Sequence, residues 1–216
     1  MDPRPFAGAD KVNPSLLRPL ERRFAPWILP KFPAWLETYH LTMLTLVWSA
    51  GIVVFSNAAR GDRRWLWGAS VMIALQWFTD HLDGKLGKFR GTGLERWGFY
   101  MDHMFDAVFI ASIIVGYALL LPERALFDLL LVSAVSAGSI VHTMLVVATT
   151  GIFRTTYLRM GPTEARVGIV VLNAYLVHAG FNGMAASLRI GAMIGFAGLA
   201  LRIYATHRQL WQLERR

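Results

Sequence analysis

Six stretches of this chain are dominated by apolar residues, most of them near the roughly 20 residues a helix needs to cross a bilayer core. They run Tyr39–Ala58, Trp65–Leu82, Trp97–Leu121, Leu126–Thr149, Arg166–Ala179 and Met184–Ala205, the fifth being short. Turn signals fall between them at Gly61-Asp62, Leu121-Pro122-Glu123, Gly161-Pro162 and Gly180-Phe181-Asn182-Gly183. The pattern predicts an all-α integral membrane protein of six transmembrane helices. Upstream, Leu16, Leu17, Leu20, Phe24 and Trp27 alternate helically with Arg18, Arg22 and Arg23. That predicts an N-terminal amphipathic surface helix in a juxtamembrane segment, residues 14–33. An ordinary solvated helix packed on the bundle is the alternative. Residues 1–13 read as a polar tail and residues 34–216 as one membrane domain.

Composition supports this division. Hydrophobic residues make up 55% of the 216, and the mean hydropathy is +0.41, too apolar for a soluble domain. The net charge is +8. The basic residues lie between apolar runs instead of on a polar module, so lipid headgroups, not nucleic acid, are the expected partner. With the N-terminus inside, 17 of the 22 Lys and Arg fall on the cytoplasmic side and 5 outside. This bias predicts cytoplasmic N- and C-termini, with the basic turn at Arg60–Arg64 as the local exception. Cysteine is absent, which excludes disulfides and thiolate metal sites. Met1–Pro33 lacks a 7–15-residue apolar h-region, so a cleaved signal peptide is not expected. Gly191-x-x-x-Gly195 permits close helix approach, either in a homodimer or within the bundle.

Acidic residues are few, 14 in all, yet four stand at Asp80, Asp83, Asp102 and Asp106. Spacings of i, i+3 and i, i+4 put each pair on one helix face. Carboxylates at the ends of membrane-length helices are costly unless paired, solvated or holding a cation. Hard divalent cations, Mg²⁺ or Mn²⁺, suit such oxygen donors. Gly84 is expected to end its helix just after Asp83 and open the backbone to a ligand. Lys85, Lys88, Arg90 and Arg96 would form a basic rim. A purely structural network of aspartates with these basic residues is the alternative. His81 and His103 each follow an aspartate and read as neighbours of the site or loop residues before ligands, and His142 as a buried hydrogen-bonded residue.

The full stretch reads Asp80-x2-Asp83-Gly84-x2-Gly87-Lys88-x9-Gly98-x3-Asp102-x3-Asp106. It resembles the signature of the class I CDP-alcohol phosphotransferases, D-x2-D-G-x2-A-R-x8-G-x3-D-x3-D. Gly87 stands for the family's Ala, Lys88 for its Arg, and one spacing is a residue longer. Thr42 matches a family Thr at the entry to the first span, where Thr38-Tyr39 replace a Pro-Asn pair. The resemblance covers the chain from about residue 14.

The resemblance implies a metal-dependent transferase of substituted phosphate groups in phospholipid biosynthesis. Asp80, Asp83 and Asp102 would hold one divalent cation, and Asp80, Asp102 and Asp106 a second. Asp106 would also take the proton of the attacking hydroxyl. Thr42, Gly84, Gly87, Gly98 and either Lys88 or Arg90 would contact the nucleotide. Glu164 and Arg166 are candidates for the acceptor alcohol, or simply cap the fifth helix. The donor implied is CDP-diacylglycerol and the acceptor a small alcohol, with CMP released, in a membrane of bacterial inner-membrane type. The dipeptide Asp102-His103 is similar to the choline/ethanolamine branch, where a CDP-amino-alcohol meets diacylglycerol. A transporter would instead place charges near the bilayer midplane within inverted repeats, and neither is visible. A CDP-lipid-binding protein without turnover is the remaining rival.

Overall fold

The computed structural model describes residues 10–11, 26–153, 161–181 and 184–215. Its long helices are α1 (Thr38–Ala58), α2 (Leu66–Arg90), α3 (Glu95–Leu120), α4 (Leu126–Thr150), α5 (Pro162–Ala179) and α6 (Met184–Glu214). A two-residue parallel pairing joins Asp10–Lys11 to Ile152–Phe153. The expected surface helix lies largely in residues 14–25, outside the described residues. What is described of that segment ends in a short 3-10 turn, Leu29–Lys31, whose Leu29 packs with Leu41, Leu82 and Leu86.

Four helices are long and apolar enough to cross a membrane: α1, α3, α4 with the 3-10 turn before it, and α6. The chain is therefore a multi-pass membrane protein. Six spans were expected, and the two that fall short do so for different reasons. At 25 residues, α2 extends about 37 Å, but its second half carries Asp80, Asp83, Lys85, Lys88 and Arg90. The 18-residue α5 opens with Glu164 and Arg166. Each also buries polar side chains, Gln76 and Asp83 in α2 and Arg166 and Asn173 in α5.

Small side chains bring the helices together. The buried stripe of α1, Thr38, Leu41, Thr42, Thr45, Ser49, Ile52 and Ser56, recurs every three or four residues and contains five hydroxyls. A Cβ added at Gly116 of α3 would stand 2.6 Å from Ser56 Oγ, so this glycine sets how closely α1 and α3 approach. Beneath the aspartates, Ile52, Leu66, Ile73, Phe109, Ile113 and Leu176 share the main apolar core. Val54, Leu130, Ile194 and Leu201 are left exposed on the outside, where acyl chains would cover them. In α6, Gly195 packs onto Val135 of α4, so half of the glycine pair serves internal packing.

One local expectation is overturned. Gly84 does not end α2; the helix continues through Gly87 to Arg90. An interior glycine costs a helix only about 1 kcal/mol, and Leu82 and Leu86, both fully buried, hold the extra turns in place. The helix stops at Gly91, whose φ of +70° is left-handed and whose N–H bonds the Gly87 carbonyl. The fifth and sixth helices also outrun their apolar stretches. α5 starts at Pro162, a residue preorganised for a first turn, and α6 continues past Ala205 to Glu214.

Candidate active site

Helix direction gathers the site. Asp80 and Asp83 lie near the C-terminal end of α2, Asp102 and Asp106 near the N-terminal end of α3, and the connection between these helices is only four residues. α1 and α5 contribute their first turns at the same end. All four aspartates consequently meet at one end of the bundle.

Asp83 is the innermost, 4% exposed. Its Oδ2 accepts from the Thr42 hydroxyl at 2.8 Å, its Oδ1 from the Gly84 N–H at 2.5 Å, and its backbone carbonyl from the Thr38 hydroxyl at 3.1 Å. Asp102 stands at hydrogen-bonding distance from Asp83, and Asp80 is close enough to repel it. Arg166 closes the other side. Its Nη2 lies 3.2 Å from Asp80 Oδ2 and 3.3 Å from Asp106 Oδ1, with the guanidinium 5.3 Å from the Phe109 ring centre. Arg166 is 7% exposed, and its Nε is buried with no hydrogen-bond partner among the described residues. The Asp106 side chain is the more open carboxylate of that pair, at 41% against 28% for Asp80.

Arg166 is thus shared between two of the four carboxylates. As they are placed, no three His, Asp or Glu groups among the described residues converge tightly enough to hold a metal ion. Arg166 occupies the gap between Asp80 and Asp106. The donor set still fits hard divalent cations, because it offers carboxylate oxygens. To seat a cation between Asp80 and Asp106, Arg166 has to give way.

The remaining expected residues divide. A Cβ at Gly84 or Gly98 would meet nothing within 4 Å, so both leave open backbone beside the aspartates. Gly87 is buried instead, and a Cβ there would stand 2.6 Å from Thr38 Oγ1 and 3.0 Å from Gly93 Cα. Thr42 is 2% exposed and turned onto Asp83, so it positions that carboxylate and has no open face for a nucleotide. Lys88 is exposed on the rim. Arg90 points away from the aspartates and donates to the carbonyls of Phe32, Pro33, Ala34 and Leu36, with Glu37 Oε1 at 3.7 Å. Glu164 accepts from the Gly161 N–H at 2.8 Å and so caps α5. Neither histidine beside an aspartate has turned to the site by its described contacts. His81 stacks on Trp77 and meets Lys85 Nζ, while His103 Nδ1 lies against the Phe99 carbonyl.

Sequence reasoning missed two supports. One is Thr38, for which the signal was its position four residues before Thr42 on the same helix face. The other is a buried relay in which Tyr117 donates to Asn173 Oδ1 at 2.7 Å and Asn173 Nδ2 donates to Ser70 Oγ at 3.0 Å. It pins α5 to α2 and α3 below Arg166, and no local spacing announces it.

A family model described as CDP-alcohol phosphatidyltransferase matches residues 38–204. That range starts at the threonine supporting Asp83 and includes Asp80, Asp83, Asp102, Asp106 and Arg166. No curated protein matches the chain. The family match spans more than half of the sequence and contains the whole carboxylate cluster, so the chain belongs to the CDP-alcohol phosphatidyltransferase family, transferases that move a phosphatidyl group from a CDP-alcohol.

Proposed function

We propose that the protein transfers the phosphatidyl group of CDP-diacylglycerol to the hydroxyl of a small polar alcohol and releases CMP. The observation that carries this reading is the gathering of Asp80, Asp83, Asp102 and Asp106 around Arg166 at one end of a membrane bundle. Two divalent cations, Mg²⁺ or Mn²⁺, would be held by these four aspartates. When bound, they would neutralise diphosphate charge and draw electron density from the reacting phosphorus.

The chain's own residues do the rest. The alcohol oxygen bonds to the phosphorus that bears diacylglycerol, the bond from that phosphorus to the CMP oxygen breaks, and CMP leaves with the bonding pair. Asp106, the more exposed partner of Arg166, takes the hydroxyl proton. Thr42 and Thr38 hold Asp83 in one orientation, so the innermost carboxylate needs no rearrangement during transfer. Arg166, released from Asp80 and Asp106, is placed to meet an anionic group on the acceptor. Lys88 on the rim faces the nucleotide phosphates, and the open backbone at Gly84 and Gly98 lets the donor approach. Transfer of this kind depends on position and charge more than on covalent help.

We further propose that α2 and α5 also cross the bilayer, giving six spans with the aspartate end and both termini cytoplasmic. Gln76 and Asp83 of α2 and Arg166 and Asn173 of α5 are buried against the helices packed around them, and the excess of Lys and Arg at that end supports the orientation. The decisive experiment measures CMP release by the purified protein in lipid nanodiscs. CDP-diacylglycerol is offered with glycerol phosphate, inositol phosphate, inositol, serine and choline, and CDP-choline with diacylglycerol. Release from CDP-diacylglycerol that requires both the cation and Asp102, tested with EDTA and Asp102→Asn, is expected. Release only from CDP-choline with diacylglycerol, or from no pair, overturns the proposal.

A further inference from the structure

The end of the bundle opposite the aspartates carries chemistry the transfer reaction does not use. There the turn from α1 to α2 bears Arg60, Asp62, Arg63 and Arg64, next to the last turn of α5. Asp62, Arg63, Arg64, Val177 and His178 line an open cleft of about 600 Å³. The Asp62 carboxylate accepts the Arg64 N–H at 2.9 Å and so caps the turn. None of the side chains of Arg63, Arg64 and His178 is paired with a carboxylate among the described residues. Gly180, at φ +77°, lets the chain leave α5 close to Arg63; a Cβ there would lie 3.0 Å from Arg63 Nη1.

Two further observations place the cleft at headgroup level. Trp65 and Trp67, both exposed, stand directly beyond the arginines, and Trp65 is stacked on Phe55 with ring centres 5.8 Å apart. Exposed tryptophans of this kind mark the membrane–water interface. Arg64 also lies sixteen residues before Asp80 on nearly continuous helix. That is about 24 Å along the axis, most of the way across a hydrocarbon core of roughly 30 Å. These cations run against the charge bias of the rest of the chain, so orientation does not account for them.

We propose that this cleft binds the phosphate of an anionic lipid headgroup in the leaflet opposite the aspartate site. Arg63 and Arg64 present guanidinium forks that match phosphate oxygens in pairs. His178 adds a donor from α5, and the lipid thereby ties the α1–α2 turn to the end of α5.

Native mass spectrometry of the full chain tests this, titrating phosphatidylglycerol, phosphatidylcholine and inorganic phosphate separately. Wild type is expected to retain phosphatidylglycerol over phosphatidylcholine. R63Q/R64Q should lower that affinity by roughly twenty-five-fold, about five-fold per arginine near the surface. R63K/R64K should keep most of it, and Arg124→Gln, at the same end but outside the cleft, should bind like wild type. Equal retention by R63Q/R64Q overturns the proposal. So does an equal loss in Arg124→Gln, which would mean diffuse surface charge, and so does binding of inorganic phosphate without preference for phosphatidylglycerol. CMP release in lipid nanodiscs reads the transfer reaction separately, so failure of either claim is visible without the other.

Discussion

Replacing Arg166 by Met tests whether its guanidinium stands in for bound cations. In the structure its Nη2 bridges Asp80 and Asp106 at 3.2 and 3.3 Å. Hydrogen bonds to charged groups contribute about 1.5–3 kcal/mol each. Both carboxylates are partly exposed, so the lower end applies, and losing two such bonds costs about 3 kcal/mol. Renewed repulsion between Asp80 and Asp106 adds to this, while removal of the unpartnered Nε gives some of it back. A net loss of about 2–3 kcal/mol in EDTA is expected, which corresponds to roughly 4–12 °C in Tm for a chain of this size. Divalent cations should narrow that gap, because they neutralise the same carboxylates and must displace Arg166 from between them. The assay is thermal unfolding of wild type and Arg166→Met in EDTA and in saturating Mg²⁺ or Mn²⁺. A gap of the same size with and without cation would refute the reasoning. It would mean that Arg166 is a fixed structural tie and that the cations bind elsewhere or not at all.

Thr42→Val keeps the side-chain volume but removes a 2.8 Å bond to a buried carboxylate. Mn²⁺ affinity followed by electron paramagnetic resonance should drop about ten-fold or more, on the scale of 1.5–3 kcal/mol for a charge-assisted bond; wild-type affinity would show that Asp83 needs no such support. Arg90→Met should lower Tm and speed hydrogen exchange over residues 32–37, whereas Lys88→Met should leave Tm unchanged and raise the KM for the CDP-linked donor. Equal effects of the two on KM would undo the division of labour drawn between them. Gly87→Ala should destabilise by about 1–3 kcal/mol through overpacking, and Thr38→Ala should relieve part of it. Strict additivity in that double-mutant cycle would show that the two residues do not meet.

The helices and the carboxylate cluster were legible in the sequence because each rests on local periodicity. Long apolar runs fix the helices, and spacings of three and four residues fix the faces that bear the aspartates. Arg166 could be named as a site residue, but not its partners, because Asp80 and Asp106 lie 86 and 60 residues away and only the packing of α5 against α2 and α3 joins them. Gly84 was misread as a stop because its intrinsic cost to a helix is small beside the burial of Leu82 and Leu86 on the continuing turns. Arg90 and Thr42 carried the right residue types for phosphate and nucleotide contacts. Their donors are taken instead by loop carbonyls and by Asp83, contacts that span 41 to 58 residues.

Three departures from the family signature form one structural unit. Gly87 stands where the signature has Ala, and its missing Cβ is the space into which Thr38 Oγ1 and Gly93 fit. Thr38, in turn, replaces part of the usual Pro-Asn entry to the first helix and spends its hydroxyl on the Asp83 carbonyl, in a bond that is buried. The extra residue between Lys88 and Gly98 lengthens the connection that begins at Gly91, where Thr92 Oγ1 donates to Glu37 Oε2 at 3.0 Å. Arg90 completes the unit by gathering the carbonyls of residues 32–36 above that connection. Considered singly, each departure weakens the match to the signature. Considered together, they compensate one another by bringing the start of α1 against the end of α2, which is the contact that orients Asp83. The contact that orients Asp83 is thus made in this chain by the very residues that depart from the signature.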